Sequence, residues 1–435
     1  MKKADILIIG TGVAGLFCAL NLPEDKNIFI ITKDVCENSD SFLAQGGICM
    51  LRDEDDYDSY YEDTMKAGHY ENRPESVDIM IRSSREVICD LINLGVEFER
   101  NKADNDFAFT REGAHSRPRI LFHKDITGKE ITSKLLQQAR MRKNIEIKEY
   151  NAMIDLIVEN NRCMGAVVKD KNGSFYNVFA EYTVIATGGV GGLYVHSTNF
   201  RHLTGDALGV CMEHNIGLEN IDYVQIHPTT LYASTRGRRF LISESVRGEG
   251  AVLLDANGNR FTDELQPRDV VTQAIREQMK KDSTLYVQLS MKDIGSEEIK
   301  KHFPNIYRHC LEQGYDVTKE SIPVVPAQHY FMGGVHVDSD SKTTCDNLYA
   351  VGEASCNGVH GKNRLASNSL LESLVFAKRA AQSISSKGSP EPIGSQVIDK
   401  YEKQLETKTD YFLLRDDYKV VMRNEIEKRK GEKAQ

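Results

Sequence analysis

The stretch HGKNRLASNSLLES, residues 360–373, joins a lone cation to the start of a predicted helix. Residues 367–369 are serine or asparagine, the types preferred as helix N-caps, and Leu370 begins an apolar helical pattern. A helix N-terminus carries partial positive charge, and Arg364 adds a full charge and a planar fork of donors that matches a carboxylate. The pattern therefore predicts an anion-binding site at this helix.

A second chemical signal lies at the beginning of the chain. The predicted elements there are a buried strand at 4–9, a helix at 13–20 and a buried strand at 27–32. Between the first strand and the helix stands G-x-G-x-x-G, at Gly10, Gly12 and Gly15. Gly10 allows a tight turn, Gly12 lets backbone approach a pyrophosphate, and Gly15 lets the helix pack closely. This unit predicts dinucleotide binding.

One position departs from the dinucleotide pattern. An acidic residue is expected at the end of the second strand, where it would hold a ribose hydroxyl. The sequence has Thr32-Lys33 instead. Lys33 is expected to pair with a phosphate or to cover the adenine, and a solvated surface lysine is the alternative.

Three further segments contain glycines that either follow a predicted strand or would let the backbone pass close to a ligand. SDSFLAQGGIC, residues 39–49, has adjacent Gly46 and Gly47, which suit a backbone passing close to a flat ligand, although an ordinary turn is the alternative. A predicted strand ends in ATGGVGG at 186–192, and DNLYAVGEA at 346–354 is a strand ending in Gly-Glu. These exits converge on one ligand if residues ~221–329 are an insertion that splits a nucleotide-binding domain.

The remaining elements follow from periodicity. Helices are predicted at 74–94 and 127–142, strands between 145 and 186 with a hairpin turn at Asn172-Gly173, and a helix after Thr204-Gly205-Asp206. Residues 385–435 are polar, with a Gly-Ser-Pro break near 388–390 and helical spacing beyond it.

Composition narrows the class of protein. A chain of 435 residues is long enough for two or three domains, and its net charge of −9 argues against a broad nucleic-acid footprint. No apolar run approaches the ~20 residues of a membrane helix, and the N-terminus lacks a signal-peptide pattern. The nine scattered cysteines form no C-x-x-C pair, which indicates reduced thiols in a cytoplasm, with neither zinc nor an iron–sulfur cluster.

Several of these segments together resemble a known family. In order they are GTGVAG, SFLAQGGI, ATGGVGGLY, TGD, QIHPTT, RGEGAVLLDANGNRFTDE, PRDVV, HYFMGGV, LYAVGEAS and NRLASNSLLES. The set, covering residues 1 to about 380, resembles the succinate dehydrogenase/fumarate reductase flavoproteins. The resemblance implies an α/β fold: a Rossmann-like FAD-binding domain split in sequence, an inserted α+β capping domain and a short helical C-terminal tail. The implied bounds are 1–220 and 330–385 for the FAD-binding domain, 221–329 for the capping domain and 386–435 for the tail.

The resemblance also implies which residues hold FAD. They are Gly10, Thr11, Gly12, Val13, Ala14, Gly15, Lys33, Asp40, Ser41, Ala44, Gln45, Gly46, Gly47, Thr187, Gly188, Gly189, Asp206, Glu353, Ser369 and Leu370. The helix end at Ser369-Leu370 is implied to face the pyrimidine edge of the flavin, where its dipole stabilises the anionic reduced form. Members with covalently attached flavin carry a histidine where this sequence has Asp40, so FAD is expected to be noncovalent.

Six residues match the family's substrate pocket. Arg364 matches an arginine that binds a substrate carboxylate, and Arg268 matches one that transfers a proton. An arginine normally stays protonated, so Arg268 either relays a proton or only positions the substrate. His227, His329 and Ser243 match hydrogen-bond donors, and Glu244 matches a carboxylate of the same pocket. Two cations with neutral donors imply a four-carbon dicarboxylate.

Glu112, in REGAHSRPR, discriminates between branches of the family. Relatives that accept only dicarboxylates carry a neutral glutamine at the matching place. A carboxylate there repels a dicarboxylate and attracts an α-ammonium group, by roughly 4 kcal/mol at ~4 Å and an effective dielectric near 20. The sequence therefore favours the branch that oxidises L-aspartate, and a surface glutamate is the alternative.

The implied reaction is FAD-dependent oxidation of L-aspartate to iminoaspartate, with hydride passing to flavin N5 and O2 or fumarate as acceptor. Quinolinate synthase would consume the imine, in the first steps of NAD biosynthesis. A soluble fumarate reductase or succinate dehydrogenase-type flavoprotein is the main alternative, and a noncatalytic FAD-binding module is another. Members of the aspartate branch continue beyond this point as a helical domain, so the oligomeric state and the role of the tail stay open.

Overall fold

The structure is a computed structural model that describes residues 1–101, 105–235, 237–407 and 418–433. Part of the predicted C-terminal tail, 408–417 and 434–435, lies outside the described residues. The strands are β1 Lys2–Ile9, β2 Ile28–Ile31, β3 Ile48–Cys49, β4 Ile120–Leu121, β5 Ile145–Lys148, β6 Ala152–Glu159, β7 Arg162–Lys169, β8 Phe175–Ile185, β9 His196–Ser197, β10 Leu218–Glu219, β11 Val224–Leu231, β12 Gly237–Arg238, β13 Val252–Leu254, β14 Val287–Ser290, β15 Ile322–Phe331, β16 Gly334–His336, β17 Leu348–Ala350 and β18 Ser355–Cys356.

Helices connect many of these strands. They are α1 Val13–Asn21, α2 Asp40–Leu43, α3 Tyr57–Ala67, α4 Pro74–Asn93, α5 Thr127–Met141, α6 Asp206–Glu213, α7 Glu244–Gly248, α8 Arg268–Asp282, α9 Ser296–His302, α10 Pro304–Glu312, α11 Asn368–Lys387, α12 Ser395–Thr407 and α13 Tyr418–Lys433. Short 3-10 turns lie at Glu54–Asp56, Gly191–Leu193, Lys292–Ile294 and Gly352–Ala354. The described residues contain no helix that is both long and apolar enough to cross a membrane.

The larger sheet has β1 near its centre. Strand β1 pairs in parallel with β2 and β8, β2 continues to β5, and β17 adds to β8 in parallel. The antiparallel strands β6 and β7 extend it beyond β8. Strand β1 is buried on both faces over its second half, which is why residues 6–9 read as an unbroken apolar run. Helices α1 and α11 pack on one face of the sheet, in a core that contains Leu16, Phe17 and Leu374.

A second sheet is built mainly from residues 224–331. Its order is β12-β9-β15-β14-β13, with β11 also pairing β15, and α8 packs on β11 and β15. A separate apolar core, including Leu253, Ile275 and Ile306, fills the space between this sheet and helices α8 to α10. The predicted domain bounds stay a prediction, and β15 runs across the proposed boundary at 329/330.

Local patterning predicted most elements. Helix α4 covers Pro74–Asn93 and is followed by Gly95 at φ +92°, and Gly173, in the β7–β8 hairpin, has φ +84°. Helix α11 differs from the expectation. It begins at Asn368, and the preceding Ser367 has a left-handed backbone (φ +61°) and makes no capping hydrogen bond with its side chain. The Ser367 hydroxyl binds a distant carboxylate instead.

Candidate functional site

A cavity of about 590 Å³ lies at the carboxyl ends of β1, β2 and β8. Fifteen of the residues predicted to hold the cofactor line it: Gly10, Thr11, Gly12, Ala14, Lys33, Asp40, Ser41, Ala44, Gln45, Thr187, Gly188, Asp206, Glu353, Ser369 and Leu370. This edge of a parallel sheet is where nucleotides bind in doubly wound folds. The helices α1 and α11 both begin at this cavity, and neither N-cap residue makes a side-chain capping hydrogen bond.

The other five predicted cofactor residues lie beside the cavity lining. The Val13 N–H donates to Ser41 Oγ at 3.3 Å. A Cβ on Gly15 would lie 2.2 Å from Gly10 O, so α1 packs on the turn as the motif predicts. The remaining three glycines also pack closely on their neighbours. A Cβ on Gly46 would lie 2.6 Å from Glu112 Oε1, and a Cβ on Gly47 would lie 2.3 Å from Leu121 O. A Cβ on Gly189 would lie 2.3 Å from Glu353 Oε1.

The three glycine-rich strand exits converge, as expected. A Cβ on Gly10 (φ +121°) would lie 2.1 Å from Ala186 O, which joins the first exit to the second. A Cβ on Gly352 (φ +64°) would lie 2.8 Å from Ala14 Cβ, which joins the third exit to helix α1. A side chain at either glycine would therefore force the neighbouring backbone or side chain to shift.

Lys33 lines the cavity, but its ammonium group already has protein partners. It forms an ion pair with Asp206 and donates to His202 O at 3.0 Å and Thr204 Oγ1 at 3.3 Å. Lys33 therefore ties the end of β2 to the start of α6. Lys33 and Asp206, which were predicted separately to bind the cofactor, form an ion pair with each other.

Polar atoms without partners make the cavity suitable for a polar cofactor. Ser39 Oγ, Asp40 Oδ2 and Gln45 Oε1 are buried and have no hydrogen-bond partner among the described residues. A buried polar group without a partner costs free energy, so each indicates a ligand contact. Burial raises the pKa of the Asp40 carboxyl to about 7, although the Phe200 N–H and Arg238 act to lower it. Glycine-lined backbone, open helix ends and these unpaired atoms fit a dinucleotide.

His329 and Tyr330 line the cavity and also contact a buried polar cluster, through His227 and Arg364 respectively. Arg268, the first residue of α8, donates from Nε to Glu244 Oε2 at 2.6 Å and from Nη1 to Gln225 Oε1 at 2.8 Å. Gln225 in turn donates to Arg364 O at 2.8 Å. The two predicted arginines are thus brought together through Gln225, a residue of β11.

Arg364 precedes α11 and is 4% exposed. Its guanidinium carbon lies 4.7 Å from the centre of the Tyr330 ring, Nη1 donates to Ser369 Oγ at 3.2 Å, and Nε has no partner among the described residues. Burial, and then the nearby Arg268, lower the pKa of Arg364 to about 10, so it is charged at neutral pH. A fixed cation with an unused donor is suited to bind an anion.

The two predicted histidines lie together, with ring centres 5.1 Å apart. His227 Nδ1 lies 3.1 Å from Thr229 O and 3.2 Å from the Thr229 N, and its Nε2 has no partner among the described residues. Thr198 Oγ1 lies 2.8 Å from His329 Nδ1. Burial, and then Arg268, hold the pKa of both imidazoles well below the usual value. Both imidazoles are therefore neutral at pH 7.

Glu112 lies inside this cluster and is 3% exposed, which excludes the surface alternative. Its Oε1 accepts from Ser245 Oγ at 2.7 Å, and its Oε2 accepts from Ser367 Oγ at 2.5 Å. Ser243 caps α7, because its Oγ accepts the Ser245 N–H at 3.3 Å. The residues predicted for the substrate pocket thus form one site.

Electrostatics explain why so many charges tolerate burial. Burial acts to raise the pKa of Glu244, but Arg268 and Arg247 outweigh it and the pKa is lowered. Arg247 Nη2 lies 3.6 Å from Glu244 Oε2. Three guanidinium groups and the carboxylates of Glu244 and Glu112 leave one formal positive charge. Such a site favours a ligand with one net negative charge.

Sequence reasoning missed Gln225, Arg247, Ser245 and Tyr330, and it assigned Ser367 only to a helix cap. Each stands next to, or within a few residues of, a predicted residue. Gln225 shares a face of β11 with His227, and Arg247 follows Glu244 by three positions in a helix. These spacings in the sequence were the signal from which Gln225 and Arg247 could have been found.

Among the described residues, no group of three His, Cys, Asp or Glu side chains is placed to hold a metal ion.

The chain is similar to known proteins over most of its length. Residues 5–370 match the model of the FAD binding domain family. L-aspartate oxidase of Clostridium perfringens (strain 13 / Type A) is 50% identical over 388 residues, 89% of this chain and 88% of that protein. L-aspartate oxidase of Pseudomonas aeruginosa is 40% identical over 426 residues, 92% of this chain and 79% of that protein.

Solved structures show the same architecture. A quinol-fumarate reductase with menaquinol molecules superposes with a TM-score of 0.88 at 28% identity, covering 97% of this chain and 79% of that chain. Mycobacterium smegmatis Sdh1 in the apo form gives 0.77 at 28% identity, covering 93% and 72%. FAD is therefore the cofactor of this chain, and the glycine-lined cavity is suited to a dinucleotide. The chain belongs to the L-aspartate oxidase family, within the succinate dehydrogenase/fumarate reductase flavoproteins, and is an FAD-dependent oxidoreductase.

Proposed function

We propose that this enzyme oxidises L-aspartate to iminoaspartate. The observation that carries the proposal is the buried Glu112 carboxylate, which two serine hydroxyls hold in the electrostatic field of Arg364 and Arg247. At neutral pH succinate carries two negative charges, whereas L-aspartate carries two carboxylates and one ammonium. A cluster with one net positive charge and an interior carboxylate complements the second arrangement better than the first.

The substrate carboxylates bind to Arg364 and to the neutral donors around it. Neither Arg364 Nε nor His227 Nε2 has a partner among the described residues. His329 completes the set, while the Ser243 hydroxyl donates to Ser245 Oγ at 3.2 Å and so acts on the pocket through Ser245. Tyr330 stacks on the Arg364 guanidinium and keeps its plane fixed. A fixed, bidentate arginine places a carboxylate more accurately than a lysine does.

Glu112 receives the substrate ammonium group. Each of its oxygens accepts one serine hydroxyl, which leaves further lone pairs for an N–H donor. The amine must lose a proton before the Cα–H bond breaks, and Glu112 is the carboxylate placed to hold that proton. FAD, when bound in the cavity, supplies the two-electron acceptor for the hydride. The N-terminus of α11, at Ser369 and Leu370, adds partial positive charge beside it.

Arg268 has a different role in each of the two reactions, aspartate oxidation and fumarate reduction. Its Nε and Nη1 are bound to Glu244 and Gln225, so Nη2 remains for the substrate. During aspartate oxidation it positions a carboxylate. With fumarate as the acceptor it supplies the proton, and the adjacent Glu244 and Arg247 are placed to replace that proton.

The reduced enzyme is reoxidised by O2 or fumarate, and iminoaspartate passes to quinolinate synthase in NAD biosynthesis, in the cytoplasm. Noncovalent attachment of FAD follows from Asp40, which replaces the histidine used for covalent linkage, and residues 1–68 contain no histidine.

Steady-state turnover tests the proposal. FAD-loaded protein should convert L-aspartate to an imine that hydrolyses to oxaloacetate and ammonia, with O2 or fumarate present. The same preparation should act on succinate at least about 100-fold more slowly, the factor that roughly 3 kcal/mol represents. Faster oxidation of succinate would assign the enzyme to the dicarboxylate reaction instead. Full turnover by Arg364→Ala would show that this pocket does not bind the substrate.

A further inference from the structure

Ser245 connects the two halves of the site. It belongs to α7, in the segment around the second sheet, whereas Glu112 lies in a loop that precedes β4. The Ser245 hydroxyl donates to Glu112 Oε1 at 2.7 Å, and the Ser367 hydroxyl holds the other oxygen at 2.5 Å. Both Glu112 oxygens are therefore fixed by hydroxyl groups that come from different parts of the chain.

The direction of the Ser245 hydrogen bond is itself determined by its neighbours. Ser243 Oγ lies 3.2 Å from Ser245 Oγ and donates to it, while Ser243 Oγ accepts the Ser245 N–H at 3.3 Å. The Ser245 proton is thus free to point only at Glu112. The chain of donors runs from Ser243 through Ser245 to the carboxylate, which gives the carboxylate a charge-assisted hydrogen bond.

Close backbone packing fixes the distance between the two elements. A Cβ on Gly113 would lie 2.3 Å from Glu244 Oε1, and a Cβ on Gly248 would lie 2.4 Å from Arg111 O. The loop that carries Glu112 therefore packs directly on α7 at both ends of the contact. Between Ser243 and Ser245, Glu244 accepts a hydrogen bond from Arg268 at 2.6 Å. The segment 243–245 therefore holds the Arg268 guanidinium through Glu244 and the Glu112 carboxylate through Ser245.

We infer that Ser245 is a specificity-determining positioning residue that orients Glu112 toward the substrate ammonium group. The inference rests on the proposed function and extends it. Ser245 acts on the recognition of an amino acid and leaves that of a plain dicarboxylate unaffected, because its hydroxyl contacts the carboxylate that faces the amine. Without it, the Glu112 carboxylate rotates about its remaining bond to Ser367 and loses its fixed lone-pair direction.

The test compares two ligands that differ by the amine. For Ser245→Ala we expect the KM for L-aspartate to rise about tenfold, the scale of one lost hydrogen bond to a charged group, with kcat within about twofold. Competitive inhibition by succinate should be unchanged. Ser245→Thr keeps the hydroxyl and should restore the KM, and Ser245→Cys, with a weak donor, should behave like Ser245→Ala.

Two further variants separate positioning from a structural role. In the Glu112→Gln background, adding Ser245→Ala should change the aspartate KM by less than about twofold, because the group that Ser245 orients is gone. Thr318→Ala is the matched control: it removes a hydroxyl that donates to Asp316 at 2.6 Å, in the same part of the chain and away from the site. It should leave both ligands unaffected.

Each outcome decides the inference. Equal weakening of aspartate and succinate, or a full effect of Ser245→Ala in the Glu112→Gln background, would overturn it as a structural effect. If the wild-type enzyme turns over L-aspartate and Ser245→Ala has an unchanged KM, the inference about Ser245 is overturned and the proposed function is not. A wild-type enzyme that binds FAD but does not oxidise L-aspartate would overturn the proposed function as well.

Discussion

Replacing Glu112 by glutamine should change the substrate preference of the enzyme. Glutamine has the same shape but no charge, and one of its two terminal groups is a donor. Ser245 and Ser367 both donate to Glu112 now, so one of these hydroxyls must turn away from the glutamine NH2 group. The substitution therefore removes the attraction for an ammonium and loosens the side chain.

The magnitude follows from charge and burial. An ammonium about 4 Å from a carboxylate gains roughly 4 kcal/mol at an effective dielectric near 20. Desolvation of the ammonium offsets part of this gain in a site as buried as that of Glu112, at 3% exposure. The remaining 2–3 kcal/mol corresponds to a loss of about 30- to 150-fold in kcat/KM for L-aspartate. Succinate, freed from a nearby like charge, should bind several-fold more tightly.

Steady-state kinetics with L-aspartate and inhibition by succinate measure both effects on one preparation. Glu298→Gln, an exposed carboxylate paired with Lys301, is the control and should change neither. If Glu112→Gln weakened aspartate and succinate by the same factor, the effect would be loss of structure. If it left L-aspartate turnover intact, Glu112 would not be the residue that recognises the amine.

Three other substitutions test the arginine, the cofactor cradle and a buried carboxyl. Arg364→Lys should raise the KM for L-aspartate about 100-fold, because a lysine makes no bidentate contact and does not stack on Tyr330, while Arg82→Lys at an exposed helix pair should have no effect. Gly10→Ala should abolish FAD retention, because its Cβ would lie 2.1 Å from Ala186 O. Flavin absorbance per protein measures this retention. The control Gly173→Ala should retain FAD, because Gly173 also has positive φ but its added Cβ would meet nothing within 4 Å. Burial raises the pKa of Glu372 from 4.5 to about 7, so its contribution to stability is present below pH 4.5 and lost as the pH rises through 7. The unfolding free energy of Glu372→Gln relative to wild type should therefore increase by about 3 kcal/mol between pH 4 and 8, and a pH-independent difference would refute the assignment.

The parts of the fold set by local patterns were predictable from the sequence. Gly10 and Gly15 have their roles because a strand, a tight turn and a helix follow one another within a few residues. The apolar run of β1 predicted a strand buried on both faces. Convergence of the glycine exits also followed, because the carboxyl ends of parallel strands meet at one edge of a sheet.

Partner choice among buried side chains was not predictable in the same way. Ser367 has the residue type of an N-cap, yet its left-handed backbone turns the hydroxyl to Glu112, 255 positions away. Lys33 has the position of a ligand-binding residue, yet Asp206 pairs with it. Such contacts depend on which distant segments pack together, and a single sequence carries no local signal for them.

The measurement that tests the central claim most directly is an anaerobic visible spectrum of the purified FAD-loaded protein, with L-aspartate and succinate added in separate cuvettes. The account predicts that L-aspartate bleaches the flavin band near ~450 nm and that succinate at the same concentration does not. Bleaching by succinate alone would contradict the role of Glu112 and assign the enzyme to dicarboxylate oxidation.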